Sequence, residues 1–258
     1  MTLDANAIKL GIAHSAVQGM TGSLVYQKIC ACWVPLLLTE DHKVQRKAIT
    51  SEMFQRYQDK GYDFLLNIVT GNESWFHYFD PETKRQSMEW HHLDSPTKKK
   101  PKTVPSPKNI MGTVFWDAEG CILIKFREPG KTINAACYVQ TLLKLRCSLC
   151  DKHPGRKVIL KHDNARPHAA LLMLEKIREH GMGSSPSSCP GLAPSDYCLF
   201  GFVKSQMRGQ HYEMNEALQT AVRQCLRAAG TEFYWKGIFK LSEQWKKCVQ
   251  RNRDCVEK

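Results

Sequence analysis

The chain has 258 residues, of which 42% are hydrophobic and 24% are charged, so it can bury a core in one large domain with a small appendage. Its 37 basic and 25 acidic side chains give a net charge of +12, which favours a polyanionic partner, nucleic acid before membrane. A basic surface without any ligand is the alternative. The sequence has no long apolar run and no basic-then-apolar start, which argues against a membrane span and a secretory signal.

The eleven cysteines belong to a protein expected to be soluble and intracellular, so they are expected as reduced thiols and not as disulfides. Cys147 and Cys150 have the spacing of half a zinc site. No second CxxC or HxxxH occurs to complete four ligands, and ordinary core or surface cysteines are therefore the preferred interpretation.

The first half of the chain predicts helices and then strands. A helix is expected near 13–20 after Gly11, and another over 40–60 with Ile49, Met53 and Tyr57 on one side. Strands are predicted at 64–70, ending in Gly71-Asn72-Glu73, at 75–79 and at 85–90, with a turn at 80–83.

Residues 94–109 contain four prolines and five lysines, which predicts a stiff, solvated, basic loop. The run from Lys98 to Lys102 could follow a DNA backbone or serve as a nuclear address, and a solvated charge run with neither role is the third interpretation.

A hairpin is predicted from 110–116 and 121–126 across 117–120, followed by a helix at about 134–151. The next element is a short buried strand at 158–160, which leads into His162-Asp163-Asn164 and then into a helix that ends near Gly181. Asp163 would thus stand at the mouth of an α/β sheet, where ligand and metal sites collect. A Ser/Pro/Gly loop over 183–194 and three closing helices from Asp196 onward complete a mixed sheet flanked by helices.

The strings HDNARPH at 162–168 and LAPSDYCLF at 192–200 resemble the catalytic signature of the mariner family of DNA transposases. So do ACWVPLLLTEDHK at 31–43, VTGNESWFHYFDPETKRQSMEW at 69–90, GTVFWDAEGCIL at 112–123 and TINAACY at 132–138. The resemblance implies a ribonuclease H-like α/β fold. It predicts a remnant of a helix-turn-helix at 1–27, a linker with one helix at 28–61 and a catalytic domain at 62–258.

The resemblance also implies sites for DNA and for a second subunit. The recognition helix would offer His14, Ser15 and Gln18 to base edges, although Ala13 replaces a capping serine and the opening helix of the motif is expected to be missing. Trp33, Val34 and Pro35 would support a homodimer or pack on their own domain. The remaining candidates for DNA contact are Lys98, Lys99, Lys100, Lys102 and Arg166.

The catalytic resemblance implies three acidic ligands for two Mg²⁺ or Mn²⁺ ions, of which the second and third fall on Asp163 and Asp196. The first falls on Asn72, whose neutral amide cannot bridge two metals. Glu73 is a poor substitute because adjacent strand residues point to opposite faces. The spacing between Asp163 and Asp196 is also shorter than in the family, and the string GSSPSSC at 183–189 lacks the family's apolar strand. Metal is therefore expected to bind weakly or not at all.

Together these features predict a nuclear, DNA-binding transposase derivative, which is truncated at its N-terminus and whose cleavage and strand transfer are lost or impaired. An active metal-dependent transposase and a relic without a selected role are the alternatives. Taken without the resemblance, Asp163 and Asp196 could each simply cap a helix.

Overall fold

The structure is a computed structural model and describes residues 3–25, 39–88, 99, 103–127, 135–162, 183–184 and 192–250. The chain divides into two compact units that part between Pro35 and Leu36. No helix of the described residues is long and apolar enough to cross a membrane.

In the first unit, residues 3–25 form two helices, α1 (Leu3–Leu10) and α2 (His14–Ser23), joined by a turn at Gly11 with φ +66°. The helices pack on each other, and Val17 is buried. The expectation that no helix precedes the 13–20 segment is therefore wrong. As predicted, Ala13 makes no side-chain capping bond at the start of α2.

The second unit begins with α3 (Glu40–Lys60) and the short α4 (Tyr62–Leu66). Met53 of α3 is buried, in agreement with the predicted apolar side of this helix. The helix packs against the helix Gly230–Gln250, so it is part of the core of this unit. The domain boundaries at 27/28 and 61/62 stay predictions.

A mixed sheet of five strands forms the centre, in the order β3-β2-β1-β4-β5. The strands are β1 (Ile68–His77), β2 (Asn109–Asp117), β3 (Gly120–Phe126), β4 (Ile159–Lys161) and β5 (Gly183–Ser184). The first three pair antiparallel, and β4 is parallel to both β1 and β5.

Three sequence-based expectations about the strands are corrected. Phe64–Leu66 belongs to α4, and β1 starts at Ile68 and runs through Asn72 to His77 without ending at Gly71. Residues 84–87 form a turn, and Met88 is not in a strand either. A two-residue strand, β5, stands at 183–184, where only loop was expected; its backbone pairs with β4 in spite of the Gly/Ser composition.

Helices cover both faces of the sheet. On one face lies α5 (Ala135–Lys152), whose Tyr138, Leu142, Leu145 and Leu149 pack with Val69, Phe115 and Leu160. The other face carries a π-helix (Ser195–Leu199) followed by α6 (Phe200–Met207), α7 (Asn215–Ala228) and α8 (Gly230–Gln250). Leu218, Val222, Ile238, Leu241 and Trp245 fill this larger core, as their helical spacing predicts.

The hairpin between β2 and β3 is closed by Asp117, which is fully buried. Its carboxylate accepts hydrogen bonds from the backbone of Glu119 (2.9 Å) and Gly120 (3.0 Å). Arg156 and His153, which follow α5, lie 3.3 Å and 2.7 Å from the same carboxylate. A buried carboxylate needs such partners, and these partners fix the hairpin to the end of α5.

Candidate active site

Asn72 lies in the middle of β1, the strand between β2 and β4. It is 7% exposed, and its register partner on β2 is Val114, a residue of the larger core. The side chain therefore points to the face that carries the π-helix. The alternation along β1 sends Glu73 to the opposite face, where its Oε1 accepts a hydrogen bond from the Thr113 hydroxyl (3.4 Å).

The side-chain amide of Asn72 is held at both ends. Its Oδ1 accepts a hydrogen bond from the backbone N–H of Glu73 (2.8 Å), and its Nδ2 donates to Oδ1 of Asp196 (2.9 Å). The backbone donor at Glu73 fixes the orientation of the amide, because only the oxygen end can accept that bond. The structure thus brings Asn72 and Asp196 together across 124 positions of sequence.

Asp196 sits in the first turn of the π-helix and is itself exposed. The residues on either side of it are buried or half-buried and anchored. The Ser195 hydroxyl accepts a hydrogen bond from the indole Nε1 of Trp116 (3.0 Å), and the Tyr197 hydroxyl donates to the carbonyl of Gly237 (2.9 Å). Burial raises the pKa of Tyr197 well above its usual value, so its hydroxyl stays protonated as this bond requires.

The anchor on α8 depends on a glycine. A Cβ at Gly237 would lie 2.9 Å from the Trp116 ring and 3.0 Å from Sγ of Cys198. The sequence patterns point to Asp196 but not to Trp116, Ser195 or Gly237. The first two stand in the matched strings GTVFWDAEGCIL and LAPSDYCLF, and these strings were the available signal.

A cavity of about 230 Å³ lies at the end of β1, between this strand and α6. Lys204 of α6 lines the cavity, and burial lowers the pKa of this amine while the carboxylates of Asp80 and Asp196 oppose the shift. Asp80 is also paired with Arg208, Nε to Oδ2 at 3.3 Å. The other lining residues are Trp75, Phe76, His77, Pro105 and Met207.

The predicted second ligand, Asp163, lies outside the described residues. The parallel register of β1 and β4 pairs Thr70 with Lys161, residues that stand two positions before Asn72 and Asp163, respectively. Within the described part of the chain, no group of three or more His, Cys, Asp or Glu side chains could hold a metal ion.

The chemistry of the Asn72–Asp196 pair does not fit a centre for two dications. Asn72 turns N–H and not a lone pair toward Asp196, and its oxygen is already used by the backbone of Glu73. The carboxylate of Asp196, which would otherwise face a metal ion, accepts a hydrogen bond from the Asn72 amide. Two carboxylates in the same place would instead need a cation or a shared proton between them.

The predicted DNA-binding residues are distributed over both units and are incompletely described. His14, Ser15 and Gln18 all lie exposed on α2, and His14 Nε2 is 3.6 Å from Oδ1 of Asp4. Lys99 is exposed. The candidates that lie outside the described residues are Lys98, Lys100, Lys102 and Arg166 for DNA, and Trp33, Val34 and Pro35 for dimerisation.

Known proteins resemble this chain in sequence and in fold. The profile described as Transposase (partial DDE domain) matches residues 80–159. The Mariner Mos1 transposase of Drosophila mauritiana is 33% identical over 258 residues, which cover 97% of this chain and 73% of that protein. This chain belongs to the mariner transposase family.

A second relative of this mariner chain is the Histone-lysine N-methyltransferase SETMAR of Homo sapiens, 32% identical over 255 residues. The match covers 95% of this chain but only 36% of that protein. Among solved structures, the Mos1 transposase paired-end complex with left transposon end superposes with a TM-score of 0.83 at 31% identity, covering 100% of this chain and 76% of that one.

The catalytic domain of Mos1 mariner transposase superposes with a TM-score of 0.72 at 31% identity, covering 87% of this mariner chain and the whole of that structure. This superposition confirms the predicted ribonuclease H-like α/β fold. The family resemblance seen in the sequence is likewise confirmed.

Proposed function

We propose that this mariner-family chain binds DNA and that its metal-dependent strand cleavage and transfer are lost or strongly impaired. The observation that carries the proposal is the hydrogen bond from Asn72 Nδ2 to Asp196 Oδ1 at 2.9 Å. This bond supports a site whose polar groups are paired without a metal ion. It is made by Asn72, the position at which the family resemblance implies a carboxylate.

The electrostatic argument is direct. Two dications about 4 Å apart repel each other and need anionic oxygens to hold them. An amide in place of a carboxylate removes one negative charge, and a metal at Asp196 must also displace the Asn72 N–H. Each ~1.4 kcal/mol lost from transition-state stabilisation is a tenfold loss in rate. Mos1 structures have been solved with Mn and with Mg. Here the residues that would hold such an ion, weakly, are Asp163 and Asp196.

DNA binding is supported by the net charge of +12 and by the exposed polar residues on α2. Two of the related Mos1 structures are paired-end complexes, one of them with a left transposon end. A homodimer in which Trp33, Val34 and Pro35 contribute contacts is part of the same proposal, as is a nuclear location directed by the run from Lys98 to Lys102.

The second candidate function is an active metal-dependent transposase. It is favoured by the anchoring of Asp196, because the Trp116–Ser195 and Tyr197–Gly237 bonds are the support that a catalytic carboxylate needs. A third possibility, a relic without a selected role, is favoured by no observation in the structure, since its described core is well packed.

A paired nicking assay tests the proposal. The wild-type chain and Asn72→Asp are incubated with mariner transposon-end DNA and Mg²⁺ or Mn²⁺, with Asn72→Ala as the matched control. We expect no nicking above background from wild type and from Asn72→Ala, and metal-dependent nicking from Asn72→Asp.

Nicking by the wild-type chain that matches Asn72→Asp would overturn the claim of impaired catalysis and establish the active enzyme. If none of the three proteins nicks the DNA, the loss of activity is caused by the shortened spacing between Asp163 and Asp196 and not by Asn72 alone.

A further inference from the structure

The cavity between β1 and α6 contains an amine that the Asn72–Asp196 pair does not use. Lys204 is half-buried on α6 and lines this cavity of about 230 Å³. No described residue forms a hydrogen bond or an ion pair with its side-chain amine. The neighbouring Arg208 is paired instead, with Nε 3.3 Å from Oδ2 of Asp80. Lys204 is therefore removed from much of the solvent without an acceptor to hold its charge.

Burial makes Lys204 a weaker base than an ordinary lysine. Desolvation disfavours the ammonium form and lowers the pKa of Lys204 below the usual 10.5. The Asp80 carboxylate opposes this shift, the Arg208 guanidinium adds to it, and Asp196 opposes it less than Asp80 does. A lower pKa means more neutral amine at neutral pH. Desolvation and a neighbouring cation are the two effects that make a lysine nucleophilic in enzymes.

A second group with acid–base chemistry lines the same cavity. His77 Nδ1 lies 3.0 Å from the carbonyl oxygen of Ser106, and this oxygen can only accept a hydrogen bond. Nδ1 therefore carries the proton, and Nε2 of the neutral ring keeps a lone pair that can accept another. The cavity thus combines an amine with a base, and both are needed for carbonyl chemistry at a lysine.

The size and charge of the cavity restrict what Lys204 could attack. The cavity is smaller than the pockets of about 300–1,000 Å³ that hold drug-sized ligands, so it suits a compact group. Trp75 lines it and is 38% exposed, which brings the cavity to the surface. The Arg127 guanidinium lies 5.1 Å from the centre of the Trp75 ring. With this cation nearby and a net charge of +12 on the chain, an anionic ligand is favoured.

We propose that Lys204 is a nucleophile that forms an imine with a compact, phosphate-bearing aldehyde, the group that an abasic site presents in DNA. The neutral amine attacks the carbonyl carbon, and its two protons leave with the carbonyl oxygen as water while the C=N bond forms. The proposal rests on the proposed DNA binding only where the aldehyde is part of DNA.

An abasic site allows a second step, which breaks the strand without a metal ion. The protonated imine acidifies the C–H bond on the neighbouring sugar carbon, and His77 accepts that proton. The electron pair of this bond forms a C=C bond, and the bond from the sugar to its 3′ phosphate oxygen breaks. Water then hydrolyses the imine and returns the amine of Lys204.

Pyridoxal 5′-phosphate, a compact aldehyde with a phosphate, tests the amine without DNA. The full-length protein is treated with a limiting amount at neutral pH, the imine is reduced with borohydride, and peptide mass spectrometry identifies the modified lysine. We expect Lys204 to be modified before the exposed lysines, and Lys204→Arg to lose this adduct. Lys236→Arg is the control, because Lys236 is exposed and paired with Glu232 and its replacement should leave the Lys204 adduct unchanged.

A duplex with one abasic site, in EDTA, tests DNA as the source of the aldehyde. We expect a covalent complex after borohydride treatment and, without borohydride, cleavage at the abasic site. Lys204→Arg should lose both, while its retained positive charge keeps the DNA affinity measured by fluorescence anisotropy. His77→Gln should keep the covalent complex and slow the cleavage. An adduct with pyridoxal 5′-phosphate alone, from a chain that binds the abasic duplex, would support the imine chemistry and assign it to a small aldehyde.

The pH dependence of the pyridoxal adduct tests its physical cause. The rate should rise with pH to a midpoint below that of the exposed lysines, because only the neutral amine reacts. Arg208→Gln removes a repulsive cation, so it should move the midpoint up and slow the reaction at neutral pH. Asp80→Asn removes an attractive carboxylate and should do the opposite.

Two results would overturn the proposal: modification of the exposed lysines before Lys204, or a covalent DNA complex that persists in Lys204→Arg. A chain that does not bind DNA at all would contradict the proposed function, and the pyridoxal experiment would still decide whether Lys204 is the nucleophile. The cleavage needs an abasic site and no metal ion, so it is distinct from the metal-dependent nicking of intact transposon ends.

Discussion

At the scale of single residues, Asn72 and Asp196 form a pair in which a neutral donor takes the place of a charged ligand. The bond of 2.9 Å between them satisfies the amide and leaves the carboxylate with its charge. Asparagine at this position thus stabilises the folded chain without metal. An amide in place of a carboxylate at position 72 removes a metal ligand. It also removes the repulsion between two carboxylates in the folded state.

Restoring the carboxylate should make the stability of the fold depend on pH and on metal. In Asn72→Asp two carboxylates meet, and their mutual repulsion raises the pKa of the pair above the unfolded value of about 3.9. The resulting loss of stability is absent below that value and appears as pH rises through the raised pKa. We expect a deficit of about 1 kcal/mol at neutral pH, kept small because Asp196 is exposed.

Urea unfolding of both proteins at about pH 4 and pH 7, with and without Mn²⁺, measures this effect. Mn²⁺ at a hundred times its dissociation constant should stabilise Asn72→Asp by about 2.7 kcal/mol and wild type by much less. An equal deficit at both pH values, with no response to Mn²⁺, would contradict the assigned contact.

Arg46 on α3 is a second residue whose charge has a measurable consequence. It is 2% exposed, and within the described residues its Nε and Nη2 have no hydrogen-bond partner. A buried guanidinium with two unpaired nitrogens costs free energy, so Arg46→Met should raise the free energy of unfolding, by about 1–3 kcal/mol.

Thermal and urea unfolding check the Arg46 prediction, with Arg56→Met as the control. Arg56 stands on the same helix but is exposed and paired with Glu52 at 2.5 Å, so its replacement should change stability by less than about 1 kcal/mol. A destabilised Arg46→Met protein would mean that this guanidinium has a partner in the folded state.

At the scale of elements, the joint between the π-helix and α8 decides where Asp196 stands. Gly237→Ala should lose about 1–3 kcal/mol of stability, because its Cβ would meet the Trp116 ring and Cys198, both packed in place. Gly201→Ala in α6 is the matched control: its Cβ would meet nothing within 4 Å, and it should gain about 0.5–1 kcal/mol from helix propensity. Urea unfolding of the two variants gives both values.

The two glycine variants should also differ in function when each is combined with Asn72→Asp. Gly237→Ala should reduce Mn²⁺ affinity, because it shifts the support of Asp196, whereas Gly201→Ala should leave this affinity unchanged. Equal stabilities for the two glycine variants would refute the close packing at Gly237.

Most elements could be predicted from the sequence, because their apolar periodicity is strong. The helices at 40–60 and 134–151, the two closing helices and the hairpin around Asp117 follow from spacing and turn residues alone. The strand at 64–70 was misplaced because Phe64 to Leu66 are apolar enough for either state, and tertiary packing made them helical. The strand β5 carries no pattern, since two residues have no period.

The candidate site was only partly predictable for a related reason. The family strings identified Asn72 and Asp196 as neighbours, but periodicity carries no information on which hydrogen bonds form between distant elements. The orientation of the Asn72 amide, the indole bond to Ser195 and the need for glycine at 237 all arise from packing across the sheet.

At the scale of the whole molecule, the net charge of +12 should dominate binding to DNA. Each phosphate that a lysine or arginine neutralises releases counterions, so the logarithm of affinity falls with the logarithm of salt, with a slope of about −0.9 per contact. For six to ten contacts the loss between about 50 and 200 mM salt is about 10³–10⁵-fold. We expect such a slope with both transposon-end and random duplex DNA.

The two proposed sets of DNA contacts should respond differently. Replacing Lys98, Lys99, Lys100 and Lys102 with alanine should make the salt slope shallower by the amount that up to about four phosphate contacts contribute. It should weaken binding to all DNA sequences alike, because phosphate contacts carry no sequence information. Replacing His14, Ser15 and Gln18 with alanine should leave the slope nearly unchanged and reduce only the preference for transposon ends, because such residues would read base edges. Fluorescence anisotropy over a salt series separates the two effects. An affinity that does not change with salt would refute DNA binding through the basic surface, and lysine variants with the wild-type slope would place the phosphate contacts on other parts of the chain.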